Sequence, residues 1–197
     1  MKNGMIYIHG KGGNVGEAEH YKPLFPECDV IGFDYKSETP WDAKKEFVQF
    51  YNVFSKEHDI VSIIANSIGA FFSLNALGDR KIEKAYFISP VVNMEILISD
   101  MMRWANVTEE NLKERGYIET AFGETLSWEY LSWVRNHPIS WNIPTRILYG
   151  SKDHLQSIDT IQAFAEQIGA EVTVMEDGEH WFHTEEQMGF LDNWISR

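Results

Sequence analysis

An α/β architecture is the fold class this sequence predicts: a roughly six-stranded, mostly parallel, doubly wound sheet carrying a helical, lid-like insertion. Two observations lead there. Short apolar runs rich in β-branched residues recur along the chain, and helical patterns lie between most of them. The runs are also continuously apolar rather than alternating, as strands covered on both faces must be. With 197 residues, 44% hydrophobic and 14% aromatic, the chain is long and apolar enough to bury a substantial core.

The expected strands cover residues 5–9, 30–33, 60–65, 84–89, 145–149 and 171–175. Between them the helix signals are specific. Thr39-Pro40-Trp41-Asp42 offers a capping hydroxyl, proline at the first helical position and an acid in the first turn. Ser157 caps a helix expected to run to Ile168, and Gly169 ends it. Thr184-Glu185-Glu186-Gln187 reads as a capping box, with Met188, Leu191 and Ile195 on the apolar face that follows.

Residues 91–143 break this rhythm. They contain no convincing strand but many methionines and aromatics, and are expected to form a helical insertion within a single domain spanning 1–197. Met101, Met102 and Trp128 are its candidate substrate-contacting residues, since soft and aromatic side chains suit an apolar ligand. Ordinary core packing explains the same helical spacing.

The net charge of −13 argues against nucleic acid and anionic membrane as partners. No apolar run is long enough to span a bilayer, and no apolar segment of a signal peptide follows Met1. The lone Cys28 excludes an internal disulfide and suits a cytoplasmic location.

The chemistry centres on Ile60 to Gly69, where an apolar run stops at Asn66-Ser67 and a helix-forming run follows at once. A strand turning sharply into a helix holds Ser67 at the tip of a bend, the arrangement of a nucleophile elbow. Crowding there demands small residues two before and two after the serine. Ala65 and Gly69 meet that demand, although Ala65 carries one methyl more than the usual glycine. A serine hydroxyl also needs a base, and the base a carboxylate. Asp153 follows the strand at 145–149, and His180 follows the strand at 171–175. In a parallel sheet such loops emerge at one carboxyl edge, so Ser67, Asp153 and His180 are expected to converge as nucleophile, orienting acid and base. Glu176 and Asp177 compete with Asp153 but share the histidine's own loop, and His183 competes with His180 but precedes the capping Thr184. The backbone N–H groups of Ile68 and Lys11, with Gly12 as fallback, are the expected oxyanion donors. His9 is expected to hold the shape of that loop.

With these residues in view, the sequence resembles the α/β-hydrolase superfamily, as a small member of it. The matching motifs are His9-Gly10-Lys11-Gly12-Gly13, Ala65-Asn66-Ser67-Ile68-Gly69, Gly150-Ser151-Lys152-Asp153 and Gly178-Glu179-His180-Trp181-Phe182, in the family's order of serine, acid and histidine. The chain starts where the family's third strand would stand. The resemblance implies acyl transfer to water through an acyl-enzyme, and the expected activity is that of a serine esterase on small or medium acyl esters, with a small-molecule ester as substrate and no cofactor. Peptidase or thioesterase activity on the same triad, or a non-catalytic ligand-binding role, are the alternatives. A dinucleotide site is disfavoured because Val15 stands where the third glycine of Gly10-x-Gly12 would fall, despite Asp34 downstream. His180 and His183 alone are a weak basis for a metal site, and none is expected.

Overall fold

The computed structural model describes residues 2–197. Its chain divides into two compact units, Met1–Val92 with Ser140–Arg197, and Asn93–Ile139.

The first unit is built on a six-stranded sheet in which all neighbours run parallel. Its strands are β1 (Asn3–Ile8), β2 (Cys28–Phe33), β3 (Ile60–Asn66), β4 (Lys84–Ile88), and, beyond the second unit, β7 (Thr145–Gly150) and β8 (Glu171–Met175). The spatial order is β2-β1-β3-β4-β7-β8. From β1 the chain first adds β2 on one side, then crosses back to lay β3 on the other. That reversal opens a crevice beyond the carboxyl ends of β1 and β3, the place where ligands bind in sheets of this kind. The six strands follow the apolar runs of the sequence, their ends moved by at most two residues.

Helices cover both faces. On one face, Met5, Tyr7, Ile64, Tyr86, Ile88, Leu148 and Met175 pack in a single apolar cluster with Leu191, Trp194 and Ile195. Those last three residues belong to the C-terminal helix α7 (Glu185–Ile195). The alternate strand residues Ile6, Ile8, Ile63, Phe87 and Ile147 are buried on the opposite face. There an aromatic contact chain runs from Phe33 to Phe47 and on to Phe72, joining β2, α1 (Pro40–Phe54) and α2 (Ile68–Ala76).

The caps form as the sequence signals them. The Thr39 hydroxyl accepts from the Asp42 N–H, and that of Ser157 from the Thr160 N–H at the start of α6 (Ile158–Ile168). Gly169 ends α6 in the left-handed region at φ 69°. At α7 the box is altered. Thr184 accepts from the Gln187 N–H, but Gln187 Oε1 accepts from the N–H of His183, one residue before the cap.

The second unit corrects one expectation. It contains α3 (Met94–Trp104), α4 (Glu109–Arg115) and α5 (Trp128–Asn136), but also an antiparallel pair, β5 (Tyr117–Glu119) and β6 (Thr125–Ser127). Segment 91–143 is therefore not wholly helical. Three-residue strands are too short to show a period of two, and the turn between them depends on Gly123 at φ 85°. Arg135 binds both carboxylate oxygens of Glu109 at 2.7 and 2.8 Å, and Glu95 at 2.7 Å, linking α5, α4 and α3. Among the described residues, no helix is long and apolar enough to cross a membrane.

Two glycine substitutions make the packing testable. A Cβ on Gly69 would stand 2.5 Å from the His9 carbonyl oxygen and 2.9 Å from Ile8 Cγ2, whereas one on Gly189 meets nothing within 4 Å. In urea denaturation Gly69→Ala is expected to lose about 1–3 kcal/mol. Gly189→Ala, inside α7, is expected to gain up to about 1 kcal/mol.

Candidate active site

Ser67 is the cap residue of α2, yet its backbone lies at φ 50° and ψ −119°, a region non-glycine residues rarely enter. The surroundings hold it there. Its N–H donates to the Ile88 carbonyl at 3.0 Å, and its own carbonyl accepts from the N–H groups of Ala70 at 3.2 Å and Val91 at 3.1 Å. Serine is a favoured helix cap, but here the hydroxyl makes no capping bond. Instead its Oγ lies 2.9 Å from His180 Nε2.

Small residues make room for this bend. Gly10 approaches so closely that a Cβ there would lie 3.2 Å from the Ser67 Cβ, and Gly69 sits against the end of β1. Ala65, the departure from the usual glycine, is fully buried between Ile8 and Phe87 in the ladder.

His180 Nδ1 lies 2.7 Å from Asp153 Oδ2. The Asp153 side chain is 1% exposed, and its other oxygen accepts from the Leu155 N–H at 2.8 Å. Both carboxylate oxygens are thus engaged, which fixes the rotamer facing the imidazole. The competitors point elsewhere: Asp177 binds Lys152 Nζ at 2.8 Å, and the His183 ring stacks on Trp181 with centroids 4.6 Å apart.

The loops carrying Asp153 and His180 are stitched to each other. The Ser151 N–H donates to the Met175 carbonyl at 3.0 Å, the Lys152 N–H to the Gly178 carbonyl at 2.8 Å, and the Asp177 N–H to Ser151 Oγ at 2.8 Å. This requires glycine at both closest points. A Cβ on Gly150 would stand 2.4 Å from the Gly178 carbonyl oxygen, and one on Gly178 3.0 Å from the Gly150 Cα. Gly178 therefore serves the close packing of the histidine loop against the loop of Asp153.

After β1, the Gly13 N–H donates to the Gly10 carbonyl at 3.1 Å, closing a turn with Lys11 and Gly12 at its centre. Gly12 has φ 76°, open to glycine without strain. Ile68 is the first residue of α2, where N–H groups lack intrahelical acceptors and the helix end favours negative charge. His9 Nδ1 lies 2.8 Å from the Gly10 oxygen, and its ring stacks on Tyr35 at 4.4 Å. The Tyr35 hydroxyl donates to the His9 carbonyl at 2.8 Å. Nothing local in the sequence links Tyr35 to a loop 26 residues earlier. A short 3₁₀ turn, Val15–His20, follows this loop rather than a long helix that would cradle a dinucleotide phosphate.

A part-buried polar chain starts at Asn66, next to Ser67. Asn66 Nδ2 donates to the Tyr7 hydroxyl at 2.8 Å, and Tyr7 donates to the Glu17 carboxylate. Burial and the neighbouring Glu17 push the Tyr7 phenol far above its ordinary value, so it stays a donor. Glu17 also accepts from the Asn14 N–H at 3.2 Å. The residue before Ser67 is thereby tied to the end of the Gly10–Gly13 loop.

Met101 and Met102 lie on α3, and Trp128 opens α5 with Lys113 Nζ 5.6 Å from its ring centroid. All three belong to the second unit, whereas Ser67, Asp153 and His180 belong to the first. Among the described residues no cluster of three or more His, Cys, Asp or Glu side chains could hold a metal.

Solved structures share this architecture. The mouse α/β-hydrolase domain-containing protein 10 superposes with a TM-score of 0.73 at 18% identity, over 98% of this chain and 87% of its own. The fold is that of the α/β-hydrolases. An esterase of Pyrococcus furiosus superposes with a TM-score of 0.63 at 19% identity, over all of this chain and 80% of its own. By sequence, a Mycoplasma genitalium protein bearing the provisional name esterase/lipase 3 is 28% identical over 82 residues. That match spans 40% of this chain and 29% of the Mycoplasma protein. No family model matches the sequence.

Replacing Tyr7 by Phe removes the acceptor of the Asn66 amide and the donor to Glu17. It is expected to cost about 1–3 kcal/mol in urea or thermal denaturation, because part-buried polar groups lose their partners.

Proposed function

We propose that this protein is a serine hydrolase cleaving small or medium carboxylic esters through an acyl-enzyme. One observation carries the proposal: the continuous path from Ser67 Oγ to His180 Nε2 at 2.9 Å, and from His180 Nδ1 to Asp153 Oδ2 at 2.7 Å. The α/β-hydrolase fold and the esterase among its structural neighbours support it.

Ser67 Oγ attacks the ester carbonyl carbon while His180 Nε2 takes the hydroxyl proton. The buried Asp153 carboxylate holds the imidazole in the tautomer that accepts at Nε2 and stabilises the imidazolium. The tetrahedral oxyanion is held by the backbone N–H groups of Lys11 and Ile68. The intermediate collapses as His180 returns its proton to the leaving alcohol. Water then attacks the acyl-enzyme with His180 again as base, and the acid departs. No step calls for a cofactor.

A fluorophosphonate probe followed by peptide mapping is expected to label Ser67. Labelling elsewhere, or none, would overturn the proposal. Ser67→Ala is expected to lower kcat by at least about 10³-fold with an unchanged melting temperature. Asp153→Asn is expected to lose about 10³–10⁴-fold in kcat, because the amide favours the wrong imidazole tautomer. A panel of nitrophenyl esters, acyl thioesters and aminoacyl amides reads the leaving-group class, with esters turned over fastest. Faster turnover of thioesters or amides would move the assignment to thioesterase or peptidase.

A further inference from the structure

Strand residues facing a packed helix are normally apolar. The sheet face with the α7 cluster obeys this at Ile88, Leu148 and Met175. Counting back by twos along the same strands reaches Lys84 on β4, Arg146 on β7, and Thr173 and Glu171 on β8. At the amino edge of the sheet, far from Ser67 along the strands, an apolar face has become a charged one.

These four residues, with Asn193 and Trp194 of α7 and the adjacent Arg197, line a cavity of about 600 Å³. In a chain of net charge −13, the lining side chains hold three cations and one carboxylate. Arg146 is the most constrained. Its side chain is 11% exposed and its guanidinium carbon lies 5.1 Å from the Trp194 ring centroid. Its Nε is 3.5 Å from Glu171 Oε2, close enough for charge attraction but without hydrogen-bond alignment. Nε and Nη1 of Arg146 are buried without an acceptor, and so is Trp194 Nε1. Glu171, 65% exposed, screens the guanidinium weakly. Arg146 lines the cavity, and an oxyanion is the group that pairs best with a guanidinium.

We propose that this cavity binds a phosphomonoester. Arg146, Lys84, Arg197, the Thr173 hydroxyl and the Asn193 amide present more donors than one carboxylate can accept, and suit the three oxygens of a phosphate. The partly buried Phe190 ring, also in the lining, gives the organic body an apolar surface. The site is separate from the proposed ester chemistry and does not depend on it.

The test is calorimetric titration of the Ser67→Ala protein with phenyl phosphate, inorganic phosphate and benzoate at constant ionic strength. Phenyl phosphate is expected to bind saturably, at about 1 mM or tighter, and at least about tenfold more tightly than the other two. Arg146→Met is expected to weaken it by tenfold or more. Because a substitution at Arg146 disturbs packing on Trp194, Lys84→Gln and Arg197→Gln, nearer the cavity rim, are titrated as well, and each is expected to weaken binding at least about threefold. No saturation, equal binding of benzoate or inorganic phosphate, or unchanged affinity in both rim variants would overturn the proposal.

Discussion

The site rests on the backbone of Ser67, held where a residue with a side chain seldom goes. Strain of this kind, of order 1–3 kcal/mol, persists only when neighbouring contacts over-determine it. Here they come from two directions. The Ile88 carbonyl holds the N–H of Ser67, and the Val91 N–H holds its carbonyl, so the segment leaving β4 clamps the bend between β3 and α2. The clamp also frees the hydroxyl: a serine at this helix start in ordinary geometry would spend its Oγ on a cap.

The other two side chains are fixed by a different device. Asp153 and His180 stand on separate loops after neighbouring strands, and parallel pairing alone would leave those loops free to drift apart. Backbone hydrogen bonds between them, with Gly150 and Gly178 in close approach, turn the two loops into one body. Two glycines at the contact are the condition for this, since any Cβ would push the chains apart and lengthen the 2.7 Å Asp153–His180 contact.

Much of this was legible in the sequence because it is written locally. Continuous apolar runs mark covered strands, and Thr39, Ser157 and Thr184 sit at helix starts. The strand-to-helix bend at Ser67 and the loops holding Asp153 and His180 follow from strand positions, because a parallel sheet puts every such loop at one edge. What escaped detection is long-range or very short. Tyr35 reaches His9 across the sheet, the Asn66–Tyr7–Glu17 chain joins three elements, and β5 and β6 hold three residues each. Gly178 was visible, but whether a glycine bends a loop or lets two loops touch depends on what stands opposite.

Helix α2 has a consequence for dynamics. Seven of its nine residues are buried, including Phe71, Phe72 and Leu74, so it is solvated on almost no side. Such a helix lacks a cheap local opening and exposes its amides only when the surrounding core comes apart. Amide exchange along α2 should therefore be as slow as that of the central strands. Heat should leave the Ser67 bend intact until the whole first unit melts, rather than eroding it ahead of the rest.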